Sequence, residues 1–70
     1  MEKIEFQIKG EYIELIKLLK VVRIAESGGQ AKLFVENGEV KLNKATEFRK
    51  RAKLRREDIV EIFDYLIILK

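Results

Sequence analysis

Apolar and polar residues alternate at the start of the chain, where Ile4, Phe6 and Ile8 are interleaved with Glu5, Gln7 and Lys9. That alternation predicts a half-buried strand, and Gly10 stops it. From about Tyr12 to Arg23 the spacing lengthens. Leu15, Leu18, Leu19 and Val22 recur at helical intervals, with Glu14, Lys17, Lys20 and Arg23 mostly on the opposite side, which predicts a first helix. A second, short helix of about ten residues follows Ser27. Ser27 is a helix cap and Gln30, three residues on, can bond back to the Ser27 backbone N–H, the reciprocal arrangement of a capping box. Ala31, Phe34 and Val35 form its apolar face, and Asn37-Gly38 close it because both residues accept the left-handed conformation found at helix ends. Val40 and Leu42 alternate with Glu39 and Lys41 as a strand, and Asn43-Lys44 reads as a turn. Two more apolar runs, Ile59–Phe63 and Leu66–Leu69, predict strands around an Asp64-Tyr65 turn. The pattern as a whole is α+β: two short helices packed on a small, mostly antiparallel sheet.

Seventy residues are enough for one domain, residues 1–70, with a small core. Nearly half are apolar, too many for a disordered tail. The absence of Cys excludes thiol chemistry and disulfides, and the absence of His removes the usual base near neutral pH and the commonest zinc ligand. The longest apolar run, Tyr65 to Leu69, is far too short for a membrane span. Met1 to Glu5 lacks the character of a signal peptide. The expectation is a soluble cytoplasmic protein that has no membrane partner, metal or cofactor.

Charge sharpens the picture. Between Lys41 and Arg56 lie eight basic residues and one acid, Glu47, so the segment carries +7 in a chain of net charge +3. Segregated charge of this kind creates a local field whose usual counter-ion is a phosphate backbone. Within the run, Phe48 and Leu54 are the expected anchors to the core. Only Phe48 interrupts the charges with an aromatic ring, and Tyr12 and Tyr65 stand isolated. Recognition by charge and shape therefore fits better than base stacking. The start of the second helix is the other candidate. Its first N–H groups are free, Gly28 and Gly29 leave them uncovered, and Lys32 lies within a turn. An anion site and a tight helix–helix turn both account for those glycines. Glu57-Asp58 makes no convincing catalytic pair.

Three stretches resemble the S4 RNA-binding domain, and most closely its small stand-alone bacterial members. They are Ser27-Gly28-Gly29-Gln30-Ala31-Lys32, Glu36 to Asn43, and Glu47 to Leu54 with Asp58-Ile59-Val60 beyond. The resemblance runs from about Phe6 to Glu61. It implies the αL motif, a helix pair whose exposed face, with the neighbouring turn, binds structured RNA. It places Ser27, Gly28 and Gln30 at the helix start used against RNA, Lys32 on that helix, Asn43 and Lys44 in the adjoining turn, and Arg49, Lys50, Arg51 and Lys53 in the basic run. Three positions depart from the family pattern, which often has Gly where this chain has Lys44, Glu57, and Arg51 or Ala52.

These features together predict a non-catalytic RNA-binding protein. Ribosomal RNA, with the ribosome as partner, is one target of that kind; a tRNA-like stem or a messenger hairpin is equally compatible. Two other classes share the same charge pattern: a module docking an acidic protein, and a non-specific nucleic-acid binder. Oligomeric state is open, with the terminal Leu66–Leu69 strand available for edge-to-edge pairing.

Overall fold

The computed structural model describes residues 1–70. A five-stranded sheet in the order β1-β7-β6-β3-β4 is covered on one face by two helices. β1 (Glu2–Phe6) lies at one edge and pairs parallel with β7 (Tyr65–Leu69), in register Ile4 to Ile67 and Phe6 to Leu69. All other ladders are antiparallel: β7 with β6 (Ile59–Ile62), β6 with β3 (Val40–Leu42), and β3 with β4 (Ala45–Thr46). A separate two-residue ladder joins β2 (Ile13–Glu14) to β5 (Lys53–Leu54). The α+β architecture is the predicted one. Because β7 is flanked on both sides, the expected free edge at Leu66–Leu69 does not exist.

The core lies between sheet and helices. Val40, Val60, Ile62, Ile67 and Leu69 meet Leu15, Leu18 and Leu19 of α1 (Leu15–Val21) and Ala31 and Val35 of α2 (Gly28–Glu36), all but fully buried. The alternation along β6 and β7, hidden in their continuous apolar runs, becomes plain in register. Val60 faces Ile67 inward, while Ile59 and Ile68 pair outward.

The first helix starts at Leu15, a turn later than the periodicity implies, because Ile13 and Glu14 are extended and hydrogen-bonded to β5. Both helices end alike. The N–H of Arg23 bonds to Lys20 O and that of Ile24 to Leu19 O; Gly38 and Glu39 bond in the same way to Val35 and Phe34. This double closure requires a left-handed residue, supplied by Arg23 (φ 64°) in one case and Gly38 (φ 75°) in the other. Asn37 itself stays at φ −82°.

Three further expectations need correction. The β6–β7 turn is Phe63-Asp64, with Phe63 at φ 53° and Tyr65 already in the strand. Phe34 is only half-buried and meets Phe63 edge to face at 5.0 Å. Phe48 is not a core anchor: 62% of it is exposed, and its ring lies over Gly38. Leu54 is the buried anchor of the loop, together with Ala52.

Two of the three residues that stand where the resembled family often has glycine adopt the positive φ that glycine favours. Asn43 and Lys44 adopt φ 50° and 73°, the pair of positive values that a two-residue hairpin turn demands, and Glu57 sits at φ 76°. Glu57 is third in a turn closed by Asp58 N–H to Arg55 O, the position that favours Gly. A left-handed side chain costs about 1–2 kcal/mol. Glu57→Gly is therefore expected to raise the melting temperature by several degrees, equivalent to about 1 kcal/mol. Gly38→Ala is expected to lower it, since its Cβ would occupy a left-handed residue 3.4 Å from the Phe48 ring. Thermal denaturation of both variants checks the pair.

Candidate nucleic-acid interface

The start of α2 is built by its own side chains. Ser27 is extended and its Oγ accepts the Gln30 N–H at 3.1 Å. Gln30 Oε1 reaches back one residue further than the capping box predicts, accepting the Glu26 N–H at 2.6 Å rather than that of Ser27. The first intrahelical bond is Ala31 N–H to Ser27 O. The N–H groups of Gly28 and Gly29, which a helix cannot satisfy internally, are left for solvent or a ligand. Neither glycine has a positive φ. A Cβ at Gly28 would come no nearer than 3.9 Å to Lys20 Cδ, and one at Gly29 no nearer than 3.9 Å to Ser27 Oγ. Neither backbone conformation nor crowding requires glycine here, so the tight-turn explanation fails. Lys32 is exposed on the same helix. Lys20, whose stem passes beside Gly28, brings a cation that the linear sequence gives no reason to assign to this end.

The basic loop is organised by backbone. α1 has no side-chain cap. Instead, the N–H groups of Leu15 and Ile16 donate to Ala52 O at 2.9 Å and Lys50 O at 3.2 Å. With the β2–β5 ladder, these bonds fix the loop against the start of α1. Arg49, Arg51, Lys53 and Arg55 then line one shallow concavity of about 440 Å³ with Ala52 beneath. Arg55 belongs to the concavity although the family resemblance does not assign it.

Several of the cations are already engaged. Arg49 forks onto Glu47 through two 3.0 Å side-chain bonds, and its backbone N–H adds a third. The guanidinium holds the Glu47 carboxyl below the usual glutamate range, and the carboxylate raises the Arg49 pKa in return. Arg51 lies 3.8 Å from Glu14. Lys50 turns away from the concavity to bond Glu36 at 2.7 Å, in the last turn of α2. Arg56 donates to Gly10 O and Ile8 O at 2.9 and 3.0 Å and serves the fold. Lys53 has no carboxylate partner; its Nζ lies 5.0 Å from the centre of the Tyr12 ring, with the Arg55 guanidinium at 5.9 Å. Tyr12 is thus not isolated, and it stands beside the cations because β2 delivers it there.

Asn43 and Lys44 divide. The Asn43 amide donates to Asp58 Oδ1 at 3.1 Å and accepts the Ile59 N–H at 2.8 Å, tying the hairpin to the neighbouring loop. Lys44 is exposed at the tip. The helix start and the basic loop do not converge. Lys50 marks the beginning of α1 and the end of α2, while Lys20 and Gly28 mark the opposite end of the pair. At 1.5 Å per residue, helices of seven and nine residues separate the two regions by about 10–13 Å.

The sequence profile of the S4 domain matches residues 6–69, and the chain belongs to the S4 domain family. A relative in Escherichia coli (strain K12), "Putative RNA-binding protein YbcJ", is 46% identical over 46 residues, a stretch covering 66% of each chain. YbcJ of Shigella flexneri matches with the same figures. The aligned part is therefore just short of two thirds of these relatives. The solution structure of YbcJ from E. coli, described as revealing an αL motif involved in RNA-binding, superimposes with a TM-score of 0.65 at 33% identity, covering 97% of this chain and 87% of the other. The αL motif expected of the helix pair is thus the fold of a solved relative.

The Glu47–Arg49 pair has a testable pH signature. A carboxyl whose pKa is depressed by folding stabilises the native state above its unfolded pKa, and that contribution disappears as the pH falls through the folded value. Glu47→Gln is therefore expected to melt below the parent at pH 7, and the two melting temperatures to converge as the pH falls below the usual glutamate range and through the depressed Glu47 value.

Proposed function

We propose that this protein binds structured RNA through one domain, residues 1–70, without catalysing a reaction. The observation that carries the reading is the concavity in which Arg49, Arg51, Lys53 and Arg55 converge on a backbone-fixed loop. The family relationship, and the RNA-binding role named for YbcJ, support RNA over other polyanions. The pairs to Glu47 and Glu14 do not oppose it. Arg51 is exposed and its 3.8 Å pair to Glu14 is of the kind worth only about 0–1 kcal/mol, while the Arg49 side chain, although forked onto Glu47, is itself 76% exposed. A phosphate can replace the carboxylate.

Two contact regions about 10–13 Å apart explain why the target is folded. The loop takes one set of phosphates, while the free N–H groups of Gly28 and Gly29, with Lys20 and Lys32, take another at the far end of the helix pair. A rigid RNA holds both sets at a fixed separation, as a flexible strand does not. Ser27 and Gln30 shape the helix start, and Asn43 holds the hairpin that presents Lys44. Lys50 strengthens the field from the side of the loop. Ribosomal RNA, and hence the ribosome, is a target of this kind in the cytoplasm. Crosslinking in cells followed by sequencing identifies the RNA.

Binding is expected to be steep in salt. With about four or five phosphates neutralised, log K should fall with log salt at a slope of roughly −3 to −4. Structured RNA should bind more tightly than duplex DNA of equal length, and more tightly than an acidic polypeptide. Equal affinity for RNA and DNA at matched salt would favour a non-specific binder, and preference for the polypeptide a protein-docking module.

Gly28→Leu separates the two regions. It keeps every charge and its Cβ comes no nearer than 3.9 Å to a neighbour, Lys20 Cδ, so the salt slope should hold, and thermal melting checks that the fold does too. Affinity for folded RNA should drop because the helix start is covered. Unchanged RNA affinity in a folded Gly28→Leu protein would remove the helix start from the interface.

A further inference from the structure

A second depression is lined by Tyr12. It is an open groove of about 580 Å³ between the end of β1 and α1, with Phe6, Ile13 and Val21 contributing apolar surface and Gln7, Lys9, Lys17 and Glu14 polar groups, the Glu14 carboxylate lying 3.8 Å from the Arg51 guanidinium. Its volume is within the ordinary range of small-ligand sites, about 300–1,000 Å³. Tyr12 lines it and is 40% exposed. The same ring is the one approached by Lys53 and Arg55, which line the cationic concavity. Tyr12 therefore links the groove to two of the side chains that line the concavity.

The groove is held open by the fold. Its rim, Gln7 to Tyr12, is pinned at Ile8 O and Gly10 O by the Arg56 guanidinium, and the Ile8 N–H donates to Lys70 O at 2.7 Å. Ile13 and Glu14, immediately after the ring, are fixed by β5. A loop tied at both ends holds its aromatic ring in place before any ligand arrives, which lowers the ordering cost of binding.

We propose that this groove receives one unpaired nucleotide of the bound RNA, its base stacked on Tyr12 and its flanking phosphates shared between Lys9 and Lys17 on one side and the Lys53–Arg55 concavity on the other. The proposal rests on the RNA-binding reading and adds a subsite to it. An aromatic face in a groove with cations on both flanks suits an extruded base, since bases of loops and bulges stack on aromatic side chains. A fully paired helix has no base to offer. The subsite thus converts a reader of shape into one that prefers a stem interrupted by a bulge or loop.

The test uses the full chain and two RNA stems of equal length, one fully paired and one carrying a single-nucleotide bulge, at matched salt. The parent should prefer the bulged stem. Tyr12→Leu should weaken binding to it by about five- to a hundredfold, the range for loss of one stacked base, and leave the paired stem and the salt slope unchanged. Tyr12→Phe should restore the preference. A 5-iodouridine placed at the bulge should photocrosslink to Tyr12. Equal loss on both stems in Tyr12→Leu would show that the ring merely supports Lys53 and Arg55, and would overturn the subsite. So would a crosslink elsewhere, or no preference in the parent. Failure of the parent to bind either stem at low salt would instead sink the RNA reading itself, so the two failures are distinguishable.

Discussion

The first turn of α1 depends on a loop from the other half of the chain. With no side-chain cap of its own, it finds acceptors in Ala52 O and Lys50 O. The arrangement is reciprocal. A segment as charged as Arg49–Arg56 has little apolar surface with which to hold itself, and only Ala52 and Leu54 are buried. Those two amide bonds, a two-residue ladder, and side-chain ties such as Arg56 to Ile8 O and Gly10 O hold the rest. Had α1 begun with a serine or aspartate cap, its amides would be satisfied locally, and the cations would lose their frame.

That frame sorts charges which the composition counts as equal. Arg56 holds the Ile8–Gly10 rim, Lys50 bridges to the end of α2, and Arg49 neutralises Glu47. Lys53 and Arg55, by contrast, rest against a ring. The cations without a carboxylate partner in the concavity, Lys53 and Arg55, therefore lie near Tyr12. Attraction over distance depends on the total charge, whereas contact depends on which side chains can exchange partners at little cost.

What was legible in the sequence follows the range of the chemistry involved. The Ser27 cap needs only three residues to form, and the left-handed closure at Gly38 needs only a residue without a Cβ; both could be read locally. Arg23 performs the same closure as Gly38, and nothing in an arginine announces it. Phe63, Lys44 and Glu57 likewise adopt backbone conformations their types disfavour, because strand register and side-chain ties such as Asn43 to Asp58 over-determine them. The concentration of charge was visible, but two of its ion pairs were not, since Glu14 and Glu36 lie outside the run. Tyr12 was the largest omission. Its neighbours in space are Lys53 and Arg55, and only the pairing of β2 with β5 brings them together.

The parallel pairing of β1 with β7 bears on how the chain reaches this state. β1 is synthesised first, yet its hydrogen-bonding partner is the last strand to emerge. Ile4 and Phe6 must wait through the appearance of both helices and the β3–β6 ladder before the sheet can close over them. Non-local pairings of this sort slow folding, because chain entropy is lost before any contact is gained. The Ile8–Lys70 and Phe6–Lys70 bonds, which steady the rim beside Tyr12, likewise join residues far apart in the chain.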